Sequence, residues 1–251
     1  MTANVFILGG AQTDFARNVA LEQAGILELT REAIEKTLEA CALDAKAIES
    51  IHVGNAFGEL FTGQAHLGAM PATAIADLAG IPASRHEAAC ASGSIAILAA
   101  MSEIEAGRYD AVLVLGVEQQ RNVPGELAAK NLGAAAWVGH EGGKARYMWP
   151  HLFAEVAEEI DRRYGLDRRH LARIAEKNFA NARRNPNAQT RNWTLTDQSF
   201  TEDDEANPLV EGKLRRHDCG QISDGSACVV LASEKFATRW ASERGQKMSE
   251  L

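Results

Sequence analysis

The sequence predicts an α/β fold: a mostly parallel sheet with a large insertion ahead of its last strand. Three observations carry this. Short apolar runs alternate with helical patterns up to Gly116, joined by short connections. Ala111-Val112-Leu113-Val114-Leu115-Gly116 is apolar without interruption, the pattern of a strand covered on both faces. After Gly116 the chain turns polar, and no strong strand returns until Ala227-Cys228-Val229-Val230-Leu231-Ala232.

The elements follow in order. Val5-Phe6-Ile7-Leu8 reads as a buried strand, and Gly9-Gly10 as a turn. Between Leu21 and Ala42, Ile26, Leu29, Ala33, Ile34, Thr37, Leu38 and Cys41 share one helical face. Ile48 to Val53 is a second strand, closed by Gly54. His66 to Ala79 is predicted as a helix, ended by Gly80 and Pro82. A short strand then leads to Ala89, a helix runs from Ala91 to Ala106, and Gly107 stops it. The run Ala111–Gly116 is the fourth strand, and Ala227–Ala232 is a fifth that should rejoin the same sheet. The expected organisation is a core of residues 1–117 and 224–251 around an insertion of residues 118–223, with helices near Trp149–Tyr164 and Arg168–Arg184. An insertion of this size far exceeds an ordinary connection and is usually a functional cover.

Composition narrows the class. Of 251 residues, 46% are hydrophobic and 24% charged, which is ordinary for a globular chain able to bury a core. A net charge of −8 argues against a general nucleic-acid binder. The four cysteines, Cys41, Cys90, Cys219 and Cys228, show no C-x-x-C or paired spacing. Neither a disulfide framework nor a metal site is expected. No window reaches the roughly 18 apolar residues a membrane span requires. The start at Met1-Thr2-Ala3 lacks a basic leader, and the end at Ser249-Glu250-Leu251 is not a peroxisomal signal. The expected location is the reducing cytoplasm.

One segment reverses the overall charge. From Arg162 to Arg191 there are nine basic side chains against Asp167 and Glu176. Two readings stand: a solvated helix face, or a docking face for a phosphorylated ligand, since arginine forks suit phosphate oxygens.

Cys90 is the candidate nucleophile. It lies in Arg85-His86-Glu87-Ala88-Ala89-Cys90-Ala91-Ser92-Gly93-Ser94, where an extended segment becomes a helix. Free amides and the helix dipole at such a start favour a thiolate and can receive an oxyanion. A buried small hydrophobe is the competing reading. The small residues Ala91, Ser92, Gly93 and Ser94 favour the nucleophile, because they let a substrate carbonyl approach the sulfur.

Three blocks together resemble the thiolase family, specifically its N-terminal half. They are His86-Glu87-Ala88-Ala89-Cys90-Ala91-Ser92-Gly93-Ser94, then Ile104 to Glu118, then Cys219-Gly220-Gln221-Ile222-Ser223-Asp224-Gly225-Ser226-Ala227. The last block, with Arg215-Arg216-His217-Asp218 before it, is most similar to the branch of sterol-carrier-protein-linked and archaeal or bacterial thiolases. The resemblance implies a mixed, mostly parallel five-stranded sheet with helices on both faces and an inserted, mainly helical loop domain covering the coenzyme A side. It implies acyl transfer between CoA thioesters in fatty acid and lipid metabolism: Cys90 takes the acyl group and coenzyme A is a co-substrate, with no covalent cofactor. It also implies that Met148, Trp149, Cys219 and Gly220 line the pantetheine path. The family's base histidine, its oxyanion-hole residue and its second cysteine belong to the other half, and no G-H-P, H-D-A-F or C-x-G motif occurs here. A homodimer or tetramer, or a hetero-oligomer with a subunit carrying that half, is therefore expected, with Ile95, Leu98 and Ala99 on the uncovered face. A non-catalytic acyl-CoA-binding or assembly subunit is the alternative. His217 is the one histidine beside a site motif. His52, His66 and His86 read as structural, Cys41 and Cys228 as core.

Overall fold

The computed structural model describes residues 4–143 and 145–250. Met1 to Ala3 and Leu251, which enter the readings of the two ends, lie outside the described residues. In chain order the elements are β1 (Val5–Gln12), α1 (Ile26–Ala40), β2 (Ser50–Gly54), α2 (Gly58–Thr62), α3 (Met70–Ala74), β3 (Ala83–His86), α4 (Ser92–Glu105), β4 (Ala111–Glu118), α5 (Gly125–Leu132), α6 (Met148–Tyr164), α7 (Arg168–Ala182), β5 (Leu209–Glu211), β6 (Leu214–Arg215), β7 (Gly225–Ser233) and α8 (Glu234–Glu243). They divide into two compact units. The first comprises the chain up to Thr13, residues 19–119, and the chain from Asp224 onward. The second comprises residues 14–18 and 120–223.

The first unit is built on a five-stranded sheet in the order β1-β7-β4-β2-β3. β2 pairs in parallel with β3 and β4, while β7 runs antiparallel to β4 and to β1. Four strands therefore share one direction and only β7 opposes them, so the sheet is mixed and mostly parallel.

Strand alternation sorts the core onto two faces. Leu113, Leu115 and Val117 of β4 and Val230 of β7 meet Leu29, Ile34 and Leu38 of α1 and Phe236 and Trp240 of α8. Val112, Val114 and Leu231 turn the other way, onto Ala96, Ala100 and Ile104 of α4. The small alanines let α4 lie close to the sheet. Its outer side is apolar too, with Ile95 39%, Ile97 37% and Leu98 56% exposed and Ala99 half-buried. A helix that is apolar all round belongs in an interior.

Several elements differ from the sequence expectation. Gly9 and Gly10 lie inside β1, where the register against β7 shifts between Ile7 and Gly9. A Cβ at Gly10 would stand 2.5 Å from the Cys228 carbonyl oxygen, so close strand approach demands this glycine and no turn is involved. α1 begins at Ile26 because the Gly25 amide donates to Glu28 Oε2 at 2.8 Å, which caps the helix there. The expected helix from His66 to Ala79 is broken into a 3-10 turn, α3 and a second 3-10 turn. Pro71 restarts the helix and extended Ile75 (φ −127°, ψ 108°) ends it. β3 stops at His86, short of Ala89. α8 follows β7 directly, capped by Ser233 Oγ, which accepts from the Phe236 amide.

The second unit holds α5, α6, α7 and a two-stranded ribbon, β5–β6. Arg191 stitches residues 14–18 into it with a two-pronged contact to Asp14 (2.7 and 2.8 Å). Arg121 adds donation to the carbonyls of Ala16 and Arg17. Among the described residues, no helix is long and apolar enough to cross a membrane.

Candidate active site

Because β2, β3 and β4 are parallel, their carboxyl ends share one edge of the sheet, the usual place for ligands in such sheets. Cys90 follows the end of β3, in a 3-10 turn (Ala89–Ala91) that opens directly into α4. Its side chain is exposed, whereas Ser92 is buried.

The backbone leading into Cys90 is unusual. Ala88 has φ −155° and ψ 46°, and Ala89 has φ +48°, the left-handed region. For an L-residue that conformation costs about 1–2 kcal/mol. Hydrogen bonds hold it. The Ala88 amide donates to Ser92 Oγ (3.0 Å), and Ser92 Oγ donates to the Ala89 carbonyl (2.7 Å). The Ala89 amide donates to Glu87 Oε1 (2.6 Å) and the Ala91 amide to the Ala88 carbonyl (2.9 Å). None of these bonds uses the Cys90 amide.

The strand ends behind the turn are tied to one another. A Cβ at Gly54 would stand 2.9 Å from the backbone of Ser92 and Gly93, so β2 and the start of α4 meet at backbone contact. Buried Asn55 ties these ends together: its amide donates to the His86 carbonyl (3.1 Å) and its Nδ2 to the Val117 carbonyl (2.7 Å). Arg85 donates to the Asn55 carbonyl and pairs with Glu59, and that guanidinium holds the Glu59 carboxyl below its ordinary range.

All four cysteines are free thiols. Burial pushes Cys41 up to about 11 and Cys228 up to about 12. Cys219 is also raised, by burial first and then by the Asp218 charge. Three thiols are thus held protonated by their surroundings, and the exposed one is Cys90.

Behind β3 lies a polar cluster that the sequence did not announce. His52 Nε2 meets Glu103 Oε2 at 2.9 Å, and His52 Nδ1 meets His86 Nε2 at 2.8 Å. Ser84 Oγ lies 2.9 Å from the same His86 nitrogen. Burial, and then the neighbouring His52, lower the His86 pKa. Burial alone would raise Glu103, but the hydrogen bonds from His52 and Ser50 prevail and hold its carboxyl low. His52 and His86 are partnered as expected of structural histidines. Glu103 stands more than ten residues along α4, so no local motif links it to them. His66 is exposed.

In the second unit, Cys219 and Gly220 line a cavity of about 340 Å³ together with Ile174 and Phe179 of α7, Gln189 and His217. Met148 and Trp149 do not line it. They form the first turn of α6, where Trp149 lies 6.2 Å from the Phe153 ring, and Met148 packs by Gly133. The structure thus unites two of the four expected pantetheine-path residues. His217 is buried edge-on to Phe179 at 5.6 Å, and burial lowers its pKa, which favours the neutral ring. Most of the arginines in the basic stretch are paired with carboxylates. Arg162 and Arg163 pair with Glu159, Arg168 with Asp218, Arg169 with Asp167, Arg173 with Glu176 and Arg191 with Asp14. Glu159 lies one helical turn ahead of the stretch, whereas Asp218 and Asp14 are distant in sequence, so a local charge count misses those two. This favours the solvated-face reading of those arginines.

A family profile described as "Thiolase, N-terminal domain" matches residues 5–235. The chain is 32% identical over 244 residues to the acetyl-CoA acetyltransferase of Methanocaldococcus jannaschii, covering 96% of this chain and 58% of that protein. It is 29% identical over 253 residues to sterol carrier protein 2 of Gallus gallus, covering 95% of this chain and 43% of that one. Among solved structures, the Acat5 thiolase from Ascaris suum in complex with coenzyme A has the same fold, with a TM-score of 0.69 over 97% of this chain and 68% of that chain, at 18% identity. The chain spans about half the length of the curated relatives it matches. On the strength of the profile match, which covers nearly all of it, the chain belongs to the thiolase family and carries that family's N-terminal domain.

Proposed function

We propose that Cys90 is the acyl acceptor of a thiolase-type transfer between CoA thioesters. The exposed thiol at the opening turn of α4, among three buried or half-buried ones, is the observation that carries this reading. In the degradative direction Sγ attacks the 3-keto carbonyl of a 3-ketoacyl-CoA. The bond between C2 and C3 then breaks, and acetyl-CoA leaves once C2 gains a proton. The shortened acyl group stays on sulfur as a thioester until the thiol of a second coenzyme A displaces it. One difficult step becomes two easier ones. The Cys90 amide at the helix start is suited to the oxyanion.

The acid and base for those proton transfers are proposed to come from a second thiolase half. Two observations support a partner. The outer face of α4 exposes Ile95, Ile97 and Leu98, and the edge strand β3 pairs on one side only. In this reading the chain works as a homo-oligomer or with a subunit carrying that half. The second unit is proposed to take the coenzyme A, with Cys219 and Gly220 of its cavity on the pantetheine path.

The test is mass-spectrometric labelling of Cys90 by acetoacetyl-CoA or acetyl-CoA, on the chain alone and with the candidate second half. Acetylation at Cys90 and at no other thiol is expected. A second reading, an acyl-CoA-binding or assembly subunit without turnover, draws on the burial of His217, which keeps the one motif-adjacent histidine away from solvent. CoA binding without label on Cys90 would establish that reading instead.

A further inference from the structure

We propose that Ser92 is a positioning residue for Cys90, with Glu87 as its auxiliary. The inference rests on the reading of Cys90 as acyl acceptor and extends it to side chains that never touch substrate. The turn into α4 carries an alanine at φ +48°, where glycine would be the unstrained choice. Something must hold it there. Ser92 is buried, and its one hydroxyl makes both bonds that a serine can make to this turn. It accepts from the Ala88 amide and donates to the Ala89 carbonyl. These are the two residues immediately before the nucleophile, so their dihedral angles aim Cys90. Glu87 closes the same turn from outside by accepting from the Ala89 amide.

The Ser92 hydroxyl thus spends its one proton and one of its two acceptor sites on the backbone of this turn. Its work is to make a strained conformation the stable one, leaving Cys90 Sγ exposed and the Cys90 amide outside the hydrogen-bond set. Alanine at position 92 would leave the part-buried Ala88 amide without its acceptor, and the turn would relax toward ordinary helix or extended backbone. Threonine keeps a hydroxyl on the same Cβ and should keep the aim.

The test follows the rate of Cys90 alkylation by iodoacetamide, read by peptide mass spectrometry from pH 6 to 9, with thermal melting as the fold control. Ser92→Ala is expected to slow alkylation about tenfold across the range, and Ser92→Thr to restore most of it. Glu87→Ala, at an exposed site that leaves folding intact, is expected to slow it by a smaller factor. Ala89→Gly, which removes the strain, should make the Ser92→Ala cost smaller in the double variant than in the single. Should Ser92→Ala not fold, Glu87→Ala and Ala89→Gly carry the test. Unchanged alkylation in folded Ser92→Ala, or in Glu87→Ala where Ser92→Ala does not fold, would overturn the proposal. Acyl labelling of the parent chain together with the candidate second half is a separate readout: its absence sinks the acyl-acceptor reading while leaving the alkylation comparison intact.

Discussion

Alanine at Gly54 should disturb the Cys90 block, whereas alanine at Gly93 should strengthen the fold. The two glycines face each other where β2 meets α4, but their surroundings differ. A Cβ at Gly54 would stand 2.9 Å from Gly93 N, Gly93 Cα and the Ser92 carbonyl carbon, all of them backbone atoms. Comfortable carbon contacts need about 3.5–4.0 Å, so the start of α4 must retreat by about 0.6 Å or more. Overpacking of this kind costs about 1–3 kcal/mol. In a chain of this size each kcal/mol lowers Tm by about 2–4 °C. Because the retreat moves Ser92 itself, Cys90 alkylation should slow in parallel. A Cβ at Gly93 meets nothing within 4 Å, and the position is helical. Gly93→Ala should therefore stabilise by about 0.5–1 kcal/mol. The assay is urea denaturation followed by far-UV circular dichroism, with iodoacetamide kinetics on the same samples. Equal stability of Gly54→Ala and parent, or a loss in Gly93→Ala as large as in Gly54→Ala, would refute the close-approach reasoning.

Other outcomes follow from the same structure. The His86 pKa is lowered by folding, so the folded state binds that proton more weakly than the unfolded state. Its contribution is complete above the unfolded value near 6.5 and is lost as pH falls below it, and Glu103, also held low, adds loss at lower pH. Urea midpoints from pH 7.5 to 5.5 should fall more steeply for the parent than for His86→Gln, and parallel slopes would exclude the effect. Trp240→Phe removes the indole donation to the Cys41 carbonyl (2.8 Å) and should cost about 1–3 kcal/mol in the same urea assay. Leu98→Lys places a charge on the exposed outer face of α4; it should leave the isolated chain folded but abolish association with a partner half in size-exclusion chromatography.

The sheet was legible because β1, β4 and β7 carry apolar runs, and β4 in particular is apolar on both faces. The placement of Cys90 at the opening of a helix was legible because an extended segment ends just before it and a run of small residues and an apolar stretch follow it. What the sequence hid is mostly contact between distant segments. Glu103 joins His52 and His86 only once α4 lies across β2 and β3. Arg168 and Arg191 look unopposed until Asp218 and Asp14 meet them. Gly9 and Gly10 mimic a turn because glycine marks both turns and close strand approach, and periodicity cannot separate the two. The role of Ser92 escaped because a serine after a cysteine looks merely small. Its hydroxyl gains meaning from a backbone angle at Ala89 that no composition encodes.

The placement of β7 has a consequence for biosynthesis. It sits between β1 and β4 and, among the described residues, is the only strand that β1 pairs with. Yet Thr13, next to β1, and its bonding partner Ser226 are 213 positions apart. As the polypeptide leaves the ribosome, β1 emerges ahead of β7 and waits for it while residues 13–224 are made. Meanwhile the segment of residues 120–223 is already outside. Nascent chains arrested before Gly225 should thus expose an unsatisfied edge of β1 and depend on chaperones, and protection should arrive abruptly once Ser233 has cleared the tunnel.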